Sequence, residues 1–253
     1  MTLVPSPRHR SDDIAHWKTC EREDHLRARL RALERKEQKA IRELHKFAQS
    51  GPCYVGVSWG KDSTVAAHLA WRLFYRETVR LPLVWVRVEP ICSPECGEVR
   101  DRFLRKYPLP YDEIVVHCLR DSDGWHAKGT LERGFALARE RYGERHVSGI
   151  RGEESSGRNM RMKFYGIATA HTCAPIGWWQ PEDVFAYLYK HKLPVHPAYA
   201  MTRGGLFDRR KIRVASLGGK RGAGFGRVEW ELAYYPDLLR EICGDREVID
   251  GTT

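Results

Sequence analysis

Three residues, Trp59, Gly60 and Lys61, separate an apolar run that ends at Ser58 from a helical pattern that starts near Asp62. So short a turn leaves few folds open, because the helix must pack straight back on the strand it has just left. The alternation continues beyond it. CYVGVS (53–58), LPLVWVRVE (81–89), EIVVHCL (113–119) and RHVSGI (145–150) read as strands, and 62–76, 95–107 and 131–142 carry helical periodicity between them. Strands spaced by helices predict an α/β fold with a doubly wound parallel sheet. Such sheets take ligands beyond the carboxyl ends of their strands, and each chemistry-bearing cluster below falls at such an end.

The flanks read differently. Residues 1 to about 13 are expected to form a disordered lead-in. Leu26, Leu30, Leu33, Glu37, Ile41 and Leu44 then recur at three- and four-residue steps, which predicts one amphipathic helix over 24–49. That face would dock on the domain or serve a homodimer. After the fourth strand, TCAPIGWW (172–179) reads as extended and Pro181 as the first turn of a helix. Leu193-Pro194 ends that helix. The stretch 201–226, rich in Gly, Arg and Lys, reads as a mobile basic loop, and Trp230 to Cys243 as a last helical piece interrupted at Pro236. The expected organisation is a lead-in and helix over 1–50, a central domain over 51–200 and a basic C-terminal extension over 201–253.

Charge points to the class of ligand. A net charge of +10 and a sequence pI of about 9.3 attract anions. Between Arg203 and Arg227 eight Arg and Lys stand against Asp208 alone, eight minus one, or +7. That region reads either as a nucleic-acid grip over 203–227 or as a solvated loop that closes on a small anion. No apolar run approaches the roughly 18 residues of a membrane span, and the first residues, MTLVPSPRHRSDD, lack a signal-peptide core. The expected setting is the cytoplasm, with no membrane partner. Seven scattered cysteines read as reduced thiols. Cys92 and Cys96 form the one close pair, short of the four ligands a closed site needs, so no structural zinc is expected.

The stretch VSWGKDST (57–64) concentrates anion-binding chemistry. Gly60 permits close backbone approach. The helix start exposes unpaired N–H groups and a partial positive charge. Ser58, Ser63 and Thr64 add hydroxyls, and Lys61 adds a full charge. Asp62 is the odd member: it caps the helix, or holds Mg²⁺ shared with the ligand's phosphates. A second cluster, GIRGEESSGR (149–158), places Arg151 and Arg158 around another helix start, where both can reach an anion. There Glu154 orients an arginine or accepts from a ribose hydroxyl.

SWGKDS resembles the S-x-G-K-D-S signature of PP-loop nucleotide enzymes, the adenine nucleotide alpha-hydrolase-like fold. The resemblance implies a first loop gripping a pyrophosphate or equivalent anion, with cleavage of ATP between its α and β phosphates. Glycine is the commonest residue where Trp59 stands, so the Trp59 side chain must point away from the phosphates. GIRGEESSGR is similar to the G-[IL]-R-x-x-E-S-x-x-R stretch of the phosphoadenosine phosphosulfate (PAPS) reductase branch. APIGWWQPEDVFAYLYKHKLPVHPAY (174–199) resembles a third segment of that branch, through Asp183, Val184, Tyr187, Leu188, Leu193, Pro194, Pro197 and Tyr199, mostly packing residues. Together the likeness implies nucleotide binding by Ser58, Gly60, Lys61, Asp62, Ser63, Glu154 and Ser155. Lys61, Arg151 and Arg158 would stabilise charge, and Asp62 would meet Mg²⁺.

The branch holds several chemistries. One reading is an enzyme that binds ATP with magnesium and adenylates an unknown acceptor, or passes sulfur or an amine to it. A second is a thioredoxin-dependent PAPS reductase releasing sulfite, with Cys243 as nucleophile. Against it, Glu241 is displaced from Cys243-Gly244 by Ile242, and a helix end with Gly244 beyond it explains the pair as well. A third is a nucleotide- or nucleic-acid-binding module without catalysis. Neither a Cys-Cys pair nor a C-x2-C exists, so no iron–sulfur cluster is expected. Persulfide chemistry would have to borrow Cys92, Cys96 or Cys173.

Overall fold

β-Branched and aromatic runs form the strands of one central sheet. The computed structural model describes residues 2–77, 79–118, 120–121, 124–125, 127–214, 217–218 and 227–243. In chain order the elements are β1 (Thr2–Leu3), α1 (Ser11–Ala28), α2 (Arg31–Gln49), β2 (Tyr54–Val57), α3 (Lys61–Glu77), β3 (Leu83–Glu89), α4 (Glu95–Lys106), β4 (Tyr111–His117), the hairpin β5 (Arg120–Asp121) and β6 (Gly124–Trp125), α5 (Ala127–Tyr142), β7 (His146–Val147), a 3₁₀ turn (Gly152–Glu154), α6 (Ser156–Tyr165), β8 (Thr172–Cys173), α7 (Pro181–Lys190), β9 (Pro194–Val195), a second 3₁₀ turn (Pro197–Ala200), α8 (Arg227–Tyr234) and α9 (Pro236–Cys243).

The five-stranded sheet has the order β4-β3-β2-β7-β8 and is parallel throughout. It grows from β2 outward to β3 and β4, then resumes on the other side of β2. Strand order therefore reverses between β2 and β7, and the crevice beyond their carboxyl ends is the switch point where such sheets take ligands. β7 and β8 are two residues each, shorter than the sequence predicts. The chain leaves the sheet to run against α3: a Cβ on Gly149 would stand 2.6–2.8 Å from the Asp62 and Ser63 backbone.

The amino-terminal residues depart from the expected disordered lead-in. Thr2 and Leu3 pair in parallel with Pro194 and Val195, and Val4 is fully buried. Asp13 accepts the N–H groups of Thr202 and Arg203 at 2.8 and 2.7 Å. The single helix expected over 24–49 is two helices, broken at Arg29–Leu30. Leu26 and Leu30 are exposed, whereas Leu33 and Leu44 are buried within the protomer, so the continuous face behind the homodimer reading is divided. α1 packs on α7, with Trp17 edge-on to Phe185 at 6.3 Å.

The basic stretch is no free loop over its described part. Met201, Thr202, Arg209, Ile212 and Val214 are buried. Arg209 donates to both Asp24 oxygens at 2.9 and 2.7 Å and lies over the Phe185 ring at 4.1 Å. Arg210 pairs with Asp208 and Glu182, and Arg227 with Glu231. Of the eight counted cations Arg209 and Arg227 are thus held within the fold and Arg210 is paired at its surface, while Lys220 and Arg221 lie outside the described residues. Val4, Leu33, Val55, Phe103, Tyr187 and Trp230 belong to one core cluster, so 1–50, 51–200 and 201–243 share a core. No described helix is long and apolar enough to cross a membrane.

Candidate functional site

The β2–α3 turn is closed by its own hydroxyls. Ser63 Oγ donates to the Gly60 carbonyl at 3.1 Å and accepts the Ser58 N–H at 3.1 Å. Ser63 and Thr64 are buried; the Ser63 hydroxyl is engaged in the turn, and Ser58 Oγ lies 3.3 Å from it. The left-handed residue is Trp59, with φ of 59°, a conformation that favours glycine. Its side chain is fully buried against Phe103 and Tyr111, with ring centroids at 5.6 and 5.9 Å. The indole therefore points into the core. Gly60 is needed for space: a Cβ there would stand 3.1 Å from both the Tyr199 hydroxyl and Val214.

Two buried cations converge on one carboxylate at the start of α3. Lys61, 5% exposed, places Nζ 2.9 Å from Asp62 Oδ2, and Arg151, 1% exposed, donates from Nε to Asp62 Oδ1 at 2.7 Å. Burial works against the Lys61 ammonium, but Asp62 and Tyr199 beside it together outweigh that and raise its pKa. Burial likewise opposes the Arg151 charge, and Asp62, Glu153 and Glu154 more than compensate. Arg151 Nη1 also donates to Glu153 at 3.0 Å, and Arg158 pairs with Glu154. Ser155 caps α6 by accepting the Arg158 N–H at 3.2 Å. Lys61, Asp62, Arg151, Glu153, Glu154 and Arg158 form one chain of alternating charge, three positive and three negative.

Both Asp62 oxygens face cations, so the carboxylate orients Lys61 and Arg151. Among the described residues no group of three or more His, Cys, Asp or Glu is placed to hold a metal ion.

Sequence reasoning missed three members of this site. Tyr199 accepts the Lys61 backbone N–H at 3.0 Å, and the Lys61 ammonium lies 5.2 Å from its ring centre. Burial drives the Tyr199 hydroxyl up to about 12, so it stays neutral. Gly149 lets the β7 end touch the first turn of α3, and Glu153 holds Arg151 from the side away from Asp62. Tyr199 stood in the third motif as a packing residue; the signal for its role is its place 138 residues from Lys61, visible once the fold joins them.

A profile of the phosphoadenosine phosphosulfate reductase domain matches residues 52–219, well over half of the chain. The chain belongs to the phosphoadenosine phosphosulfate reductase family. Its match takes in the β2–α3 loop, the Arg151 cluster and Tyr199, and leaves Cys243 outside. Among curated proteins, sulfate adenylyltransferase subunit 2 of Aeromonas hydrophila is 24% identical over 226 residues, covering 74% of each chain. The subunit 2 of Pseudoalteromonas translucida is 24% identical over 218 residues, 71% of each. Among solved structures, the PAPS reductase of Candida auris in its phosphate complex superposes with a TM-score of 0.51 at 11% identity, covering 87% of this chain and all of that one. That likeness shows the fold of the family.

The thiols divide from the site. Cys96 is 1% exposed, and burial raises its thiol well above the ordinary range. Burial also raises Cys92, and pushes Cys173 up to about 12. All three are protonated near neutral pH, the reverse of what a persulfide carrier needs. Cys243 closes α9, and its side chain lies outside the described residues.

Proposed function

We propose that this family member binds ATP in the crevice between β2 and β7, cleaves it between the α and β phosphates, and adenylates an acceptor or passes sulfur or an amine to it. The observation that carries the reading is the convergence of Lys61 and Arg151 on Asp62 at the start of α3. Burying two cations costs several kcal/mol each unless partners compensate, and here the compensation holds both at a helix start that favours anions. Cations preorganised in this way stabilise charge on departing pyrophosphate without reorganising. Tyr199 and Gly149 brace the turn, and Glu153, Glu154 and Arg158 hold the outer rim. The relatives named sulfate adenylyltransferase subunit 2 support adenylyl chemistry over reduction, and the word subunit supports an acceptor delivered with a second protein.

ATP affinity measured calorimetrically is expected to fall about 10- to 100-fold in Lys61→Ala, the loss of one charge-assisted contact, with the fold checked by circular dichroism. Unchanged affinity overturns the placement of the site. Pyrophosphate released from ATP supports the reading. Sulfite released from PAPS with a thioredoxin system, abolished in Cys243→Ser, replaces it with the reductase.

A further inference from the structure

Helix α6 is scarcely packed. Of its ten residues Met162 alone is buried, set against Gly152 and Gly177. Met160, Phe164 and Tyr165 are 68%, 80% and 62% exposed, and Trp178, beside Gly177, is 42% exposed. Large apolar side chains exposed along one helix mark an interaction site. The charges of α6 say what kind. It carries Arg161 and Lys163 and no carboxylate, while Arg158 at its start pairs with Glu154 and Arg151 engages Glu153.

Exposed rings among cations, on a chain of net charge +10, match a polyanion whose flat apolar groups need covering. Single-stranded nucleic acid has that chemistry: its bases stack on aromatic faces and its phosphates pair with Arg and Lys. Phe164 and Tyr165 meet edge to face at 4.7 Å and 74°, which leaves ring surface open to a base. Position adds to the argument. α6 starts where the candidate site ends, at the Ser155 cap and the Glu154–Arg158 pair. A strand lying on α6 borders the nucleotide crevice.

We propose that α6, through Phe164 and Tyr165, is a stacking platform for single-stranded nucleic acid and forms the acceptor side of the site. This rests on the acceptor in the function proposed above, and it moves the nucleic-acid surface from 203–227 to 156–165.

The test is fluorescence anisotropy of a labelled single strand of about 20 nucleotides at about 50 mM salt. Binding is expected that weakens with salt and falls about 10-fold or more in the double variant Phe164→Ala/Tyr165→Ala. Arg213→Gln, at an exposed position of the basic segment, is expected to stay within about twofold. No binding at that salt overturns the proposal and leaves a protein as the occupant of α6. Binding that survives the double variant overturns it too, and a fall with Arg213→Gln then places the strand on the basic segment. ATP affinity, weakened by Lys61→Ala and kept by the double variant, is a separate readout, so failure here leaves the proposed function standing.

Discussion

Helices α6 and α7 are both ten residues long. α7 buries Pro181, Asp183, Val184, Phe185, Ala186, Tyr187 and Leu188, while α6 buries only Met162. The contrast separates two reasons for a sequence pattern. In α7 the pattern is packing. Asp183 accepts the Gln180 N–H at 2.9 Å and pairs with Arg27 of α1 and Lys36 of α2, so one carboxylate caps a helix and ties two others to it. In α6 the exposed rings contribute little to the core.

The largest test of this contrast is Phe185→Ala. It removes a fully buried ring from between Trp17, Tyr199 and Arg209, with an expected loss of about 3–5 kcal/mol in denaturant unfolding. A loss under about 1 kcal/mol would mean that α7 is not the anchor its burial implies.

Acid should strike the α7 side next. His68 shares a 2.8 Å hydrogen bond with Tyr187, and burial pushes its pKa down to about 2. His196, also buried, is pushed down to about 3, and its Nδ1 accepts the Ala198 N–H. Both stay neutral in the folded chain, while the unfolded chain takes up protons below about pH 6.5. Stability is therefore present above that pH and is lost as pH falls below it, by about 1.4 kcal/mol per unit for each histidine. Glu37 and Asp183, held below the ordinary carboxylate range by their basic partners against the pull of burial, add a further loss at more acid pH. Unfolding curves between pH 7 and 5 check the slope, and a flat profile would refute buried neutral histidines.

The smallest expected effect is Phe164→Ala or Tyr165→Ala on stability. Both side chains are exposed, so the change in unfolding free energy should lie within about 0.5 kcal/mol. A larger loss would turn α6 from a binding surface into part of the packing.

Much of the fold was legible because local patterns carried it. Val55, Val57, Leu83 and Val84 mark buried strands by composition, Pro181 marks the start of α7 and Pro236 the α8–α9 break. The lead-in was not legible, since Thr2 and Leu3 become a strand only through Pro194 and Val195. Nor was the split of the 24–49 helix: Leu26 and Leu30 continue the helical spacing, yet the chain turns at Arg29 so that α1 can reach α7 and α2 can reach α3. Within the site, Lys61, Asp62 and Arg151 stood out in the sequence as candidates for anion chemistry. Their pairing with one another did not, because Arg151 lies 89 residues from Asp62.

The sequence by itself determined the parallel α/β class, the family likeness and the tight turn at Trp59–Lys61, all set by neighbours in the chain. Tertiary structure decided what those residues do. It set Asp62 between two cations, placed Arg209 on Asp24 in the interior, and left Phe164 and Tyr165 outside. The physical reason is common to all three. A charge or ring takes its role from the partners that enter its desolvated surroundings, and here those partners come from distant parts of the chain.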